Sequence, residues 1–209
     1  MIRRIGWGLM AGLALIVAGY AFAILLVKAI RPPFLEQRFA IMPLAAVLHF
    51  LASAVALAVG PFQHNQRIRN RSFGFHRWMG RIYVIAALVG GAAALRLATV
   101  SEGGLPTHIG FGMLGALWIT ATAMAYRHIR AGDQASHRRW MVRSYALTYA
   151  AVMLRIYLPL SVVAGIPFEP AYQTVAWLAW VPNLIVAEWL ILRQQRARVV
   201  RESGSALAA

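Results

Sequence analysis

The residues through which this chain could do redox or metal chemistry are its histidines. There are 6 of them and no cysteine. Without cysteine, disulfides, thiolate metal sites, iron–sulfur clusters, a cysteine nucleophile and covalently attached c-type haem are all excluded. Four histidines, His49, His76, His108 and His137, are distributed one to each of four successive apolar segments, and they alternate between the two ends of those segments. A haem held between helices needs two imidazoles from facing helices at matching depth. His49 with His108 would hold an outer b-type haem, and His76 with His137 an inner one. Arg96 and Arg155 would balance the outer propionates, and Arg81 and Arg143 the inner ones. The spacing therefore predicts a two-haem path for electrons across a bilayer. A quinone or small redox substrate would meet it near Arg155 or Arg96.

Each of these residues also has a plainer reading. His76 and His137 stand in basic segments, where a polar interfacial histidine beside lipid phosphates is ordinary. His108 follows a Gly/Pro turn and suits a helix start. His49 lies within an apolar run, where an ionisable group usually marks function, but a core histidine bonded to a serine or a backbone carbonyl is the alternative. His64 and His128 fit neither pair and read as solvated loop residues. With His76 and His137 they would form an inner-face metal site whose one carboxylate is Asp133, a weaker donor set than the haem pairs.

The elements that must position these side chains are membrane spans. The chain has 209 residues, is 60% hydrophobic and only 13% charged. That is too apolar for a soluble domain of this size. Apolar runs fall at about 5–27, 42–60, 80–99, 108–126, 142–163 and 172–192. Each is of the length that crosses a hydrocarbon core of about 30 Å. The first run is 23 residues long and continues past a cleavage-like Ala21-Phe22-Ala23. It outlasts the h-region of a signal peptide, so it reads as an uncleaved span. Residues 28–41 form a polar connector broken by Pro32-Pro33, and residues 61–79 and 127–141 read as basic loops. Residues 193–209 form a basic tail. The expectation is one integral membrane domain over 1–209, all-α, with spans two to five as a pseudo-twofold four-helix core.

Charge orients the bundle. Lys plus Arg number 21 against 6 for Asp plus Glu, giving a formal charge of +15. On the six-span plan 16 of the 21 basic residues fall at the end that carries both termini. The positive-inside rule then places both termini in the cytoplasm, in a bacterial inner membrane. The arginines are thus topology signals beside anionic headgroups, and nucleic-acid binding ranks last. Arg96, Arg155 and Glu188 lie near or within spans and need partners. Depth makes Arg81 or Arg143 the partner expected for Glu188. Serine-hydrolase, P-loop and zinc-protease motifs are absent, and the loops are too short for a soluble catalytic domain.

One signature occurs twice: Trp78-Met79-Gly80-Arg81-Ile82-Tyr83 and Trp140-Met141-Val142-Arg143-Ser144-Tyr145, each preceded by a His-Arg pair. Together with Gly60-Pro61-Phe62-Gln63, Ala146-Leu147-Thr148 and Leu154-Arg155, these residues resemble a bacterial membrane-protein family known as domain of unknown function 2306. That resemblance implies fold and location and no activity. The histidine layout is separately similar to the two-haem transmembrane cytochrome b family of ascorbate-dependent reductases, in which the second and fourth helices hold one haem and the third and fifth the other. Only the four histidine positions and the six-helix plan match. The function expected is transmembrane electron transfer through two b-type haems, a membrane oxidoreductase. The alternative is a non-catalytic membrane protein, a small-molecule transporter or an accessory subunit.

Overall fold

A bilayer core offers no water to backbone N–H and C=O groups, so a spanning chain must satisfy them within itself. The computed structural model meets that demand with helices and describes the backbone of residues 2–63 and 71–207, with the side chains of 5–63 and 71–197. Six helical segments are long and apolar enough to span a membrane, and no strand occurs among the described residues. His64, Arg67 and Arg69 lie outside the described residues.

Helix α1 is Ile2–Leu26, α2 is the short Pro33–Ile41, α3 is Pro43–Gln63, α4 is Phe73–Ala98 and α5 is Leu105–Arg130. The fifth span, Gln134–Val163, is broken into α6, Gln134–Thr148, and α7, Ala150–Val163. The sixth is likewise two pieces, α8, Phe168–Leu178, and α9, Val181–Leu207. An even number of spans places both termini at one end, called here the terminal end; the other is the distal end.

Small residues set the close packing. Beyond Tyr83, the buried face of α4 is Ala86, Ala87, Gly90, Gly91, Ala93 and Ala98. A Cβ on Gly91 would sit 2.6 Å from Ile119 Cγ1, so only glycine lets α4 and α5 approach this closely. Such contacts replace the hydrophobic drive that lipid does not supply. Helix α4 therefore packs along both α3 and α5, α6 continues the row from α5, α1 covers α3, and α8 and α9 lie against α5, α7 and α6.

The helices run further than the apolar runs. The stretches 73–79 and 134–141, expected as loop, are the first turns of α4 and α6. Each has a capping residue: Ser72 Oγ accepts from Phe75 N–H at 3.4 Å, and Asp133 Oδ1 accepts from Ser136 N–H at 2.9 Å. These caps satisfy orphan N–H groups at a helix start. The Ser136 hydrogen bonds hold the Asp133 carboxyl below its usual range. Apolarity marks where lipid begins, whereas caps mark where helix begins, and the two differ here by about two turns.

The connector after α1 is also structured. Pro33 opens α2 at a position where its missing N–H costs nothing. Arg31 ties α2 to the end of α1: its Nε donates to Ile24 O at 2.8 Å and its Nη1 to Glu36 at 3.2 Å. Lys28 reaches the same carboxylate at 2.9 Å, and these two cations hold Glu36 below the usual carboxylate range.

Candidate functional site

The distal half of the bundle is hollow. A cavity of about 1050 Å³ opens among α1, α3, α4, α5, α7 and α8. Its floor carries Leu57, Trp118 and Thr148, and its distal end Phe34, Arg38 and Tyr172. Aromatic rings frame that end: Phe34 lies 5.7 Å and Phe111 5.4 Å from Tyr172. Arg38 is 3.5 Å from Glu102 across the rim.

Among mostly apolar walls, two ionisable groups stand at depth: His49 from α3 and Arg155 from α7. His49 Nδ1 lies 3.0 Å from Gly90 O. A carbonyl only accepts, so Nδ1 carries the proton and the neutral ring keeps a lone pair on Nε2. Ser53 Oγ adds a long contact at 3.4 Å. Arg155 donates from Nη1 to Ala151 O, one turn back, at 2.9 Å. Its Nε is buried without a partner. Its guanidinium sits 5.6 Å over the Tyr20 ring and close enough to His49 to act on it electrostatically. None of the ion pairs among the described residues involves Arg155.

The other predicted residues stand elsewhere. His108 Nε2 is 2.8 Å from Ser101 O, at the first turn of α5. His49 is tied to Gly90, within α4, and His108 to Ser101, beyond the end of that helix. His49 lines the cavity and His108 does not. His137 Nδ1 lies 2.9 Å from Ala125 O, and His76 stacks on Phe73 with centroids 6.4 Å apart. Arg143 grips Glu188 with two bonds of 2.5 and 2.8 Å and lies 4.6 Å over the Trp140 ring, so one of the two expected partners of Glu188 is the actual one. Arg81 and Arg96 are exposed and line no part of the cavity. Among the described residues no three His, Asp or Glu side chains gather as a metal site; His128 lies instead against Asp133 at 3.4 Å.

A second group escaped the sequence reading. Beneath the cavity floor, Tyr83 OH lies 2.9 Å from Ser144 Oγ and 2.8 Å from Thr148 Oγ1. Ser144 Oγ is in turn 2.7 Å from Thr122 Oγ1. The signal was the second half of the repeated signature, where Tyr83 and Ser144 are the residues that meet.

No curated protein and no solved structure matches the chain. The family model described as "Predicted membrane protein (DUF2306)" matches residues 46–191, from the early part of α3 into α9. That stretch covers more than two thirds of the chain and includes both copies of the repeated signature, His49 and Arg155, and the chain belongs to this family of membrane proteins.

Proposed function

We propose that this protein holds a lipophilic small molecule with an oxygen-bearing head inside the membrane, as a carrier, transporter or accessory subunit. The head lies on Arg155 and His49, and the apolar remainder fills the cavity. One observation carries this reading: Arg155 projects a permanent cation, one N–H of it unpartnered, among mostly apolar walls with no carboxylate of the described residues paired to it. A charge in that position is costly unless something pairs with it. A quinone or quinol suits the same geometry, with an oxygen accepting from Arg155 and a hydroxyl donating to His49 Nε2. Native mass spectrometry of the purified protein tests the reading. Retained small-molecule mass in the wild type, lost on Ala151→Phe within the cavity wall, supports it; identical spectra sink it.

The two-haem reading keeps one support. His76 precedes Tyr83 by seven residues and His137 precedes Ser144 by seven, and Tyr83 bonds Ser144. A seven-residue step is nearly two turns, so the two histidines share faces and depth. A reduced-minus-oxidised visible spectrum of haem-supplied protein decides it: a sharp alpha band lost on His137→Ala sustains an inner haem, and a flat spectrum removes it. The basic excess at the terminal end supports cytoplasmic termini in a bacterial inner membrane. A phosphatase fused after Ala209 should be inactive, and an active fusion would reverse the orientation.

A further inference from the structure

Resting on the cavity reading, we infer that the head group bound at Arg155 is an oxyanion, a carboxylate or phosphate on an apolar chain, held by the Nε–Nη2 edge of the guanidinium. The side chain has two edges that can present paired donors. One is compromised, because Nη1 already donates to Ala151 O at 2.9 Å. The other is vacant at Nε, which is buried and without a partner. The Nε–H and Nη2–H bonds are nearly parallel and match two oxygens of one carboxylate or phosphate.

Charge selects the same class. Arginine does not give up its proton, and no carboxylate of the described residues pairs with Arg155. His49 supplies no counter-charge either, since an imidazole is neutral or cationic and never an anion here. A neutral oxygen would fill one hydrogen bond and leave the cation unbalanced; an oxyanion answers both. The tail is fixed by the walls. The lining around Arg155 includes Leu154, Leu158, Val17 and Trp118 within about 1050 Å³, room for a drug-sized or larger apolar body.

The experiment uses the full chain in nanodiscs of zwitterionic lipid. Three photoreactive probes of equal chain length are compared at neutral pH: a long-chain fatty acid, the alkyl phosphate and the fatty alcohol. Each is tested on wild type, Arg155→Met, Arg155→Lys and Ala151→Phe, with size-exclusion and helical circular dichroism confirming that each variant is folded. The acid or the phosphate should label wild type about tenfold more than the alcohol, the margin of a bidentate charge-assisted pair. Arg155→Met should reduce that labelling to the alcohol level, and Arg155→Lys should retain part of it. The better of the two anions identifies the source of the oxyanion. Equal labelling by all three probes, unchanged by Arg155→Met but abolished by Ala151→Phe, overturns the oxyanion and leaves the cavity reading standing. Labelling that Ala151→Phe leaves unchanged overturns both.

Discussion

Toward the terminal end the bundle is closed: Gly60 lies so near the ring of Tyr145 that a Cβ would enter it, and Tyr83, Ser144, Thr148 and Thr122 bond one another. Toward the distal end the same spans stand apart around about 1050 Å³, and Arg155 keeps an unpartnered N–H there. The four hydroxyls of the closed end are satisfied by each other and hold helices together. The Arg155 Nε–H of the open end is not, and satisfied packing on one side makes an unsatisfied cation on the other informative. The contrast separates what maintains the bundle from what the bundle is for.

Substitutions can break that contrast, the largest effect coming first. Gly60→Val forces a side chain into the Tyr145 ring, an overpacking cost of about 1–3 kcal/mol or more. It should collapse the yield of folded protein in detergent, and a normal melting temperature would show that the closed end is loose. Ser144→Ala removes the hub of two hydroxyl contacts and should cost about 1–2 kcal/mol, the upper range for such bonds in membranes; unchanged thermal unfolding would demote the network to decoration. Arg155→Met should have the opposite sign. Removing an unpaired internal charge should leave stability equal or raise it by about 1 kcal/mol, while ligand retention disappears. A large destabilisation there would make Arg155 structural. Glu188→Gln loosens a half-exposed pair with Arg143 and should cost under about 1 kcal/mol, with no change in retained ligand.

The smallest effect is at the α6 cap. The Asp133 carboxyl is held below its usual range, chiefly by the Ser136 hydrogen bonds, so its contribution is present at neutral pH. It is lost as pH falls below about 3.9 and through the lower folded value. Wild type should show a slight extra loss of stability there that Asp133→Ala lacks; identical acid profiles would remove the cap from the account.

Much of the frame was readable in the sequence because span length is a property of the chain alone. Depth also narrowed the partner of Glu188 to Arg81 or Arg143, and Arg143 is the one it meets. The haem pairing rested on depth too, and what the structure adds is the partner each ring meets. His49, His108 and His137 each meet a backbone carbonyl of another element or turn, Gly90, Ser101 and Ala125. Which carbonyl a ring meets depends on helix rotation, which hydropathy does not encode. The plainer reading of His49, a histidine bonded to a carbonyl and a serine, is the one its surroundings match. The cavity was illegible for a different reason: it is a space between six spans, and no run of residues spells a space. Arg155 was visible as a lone cation near a span end; that no carboxylate of the described residues would pair with it was not.

The interruptions in the last two spans have a mechanical consequence. At Tyr149 the ladder is distorted: Val152 N–H takes Tyr149 O at 2.9 Å, and the i→i−4 bond from Met153 N–H to the same oxygen is long at 3.3 Å. Near Trp180, whose N–H meets Trp177 O at 3.2 Å, Pro182 brings no donor. A helix resists bending through its i→i−4 bonds, so stiffness is lowest where these are stretched or missing. Both weak points border the cavity floor, at Thr148, Ala150 and Ala179. The segments beyond them, α7 and α8, are packed on one another, and Arg155 belongs to α7 while Tyr83, Gly60 and Tyr145 stand on the other side of the interruptions. Bending at these two places would therefore change the width of the cavity and the reach of its cation together.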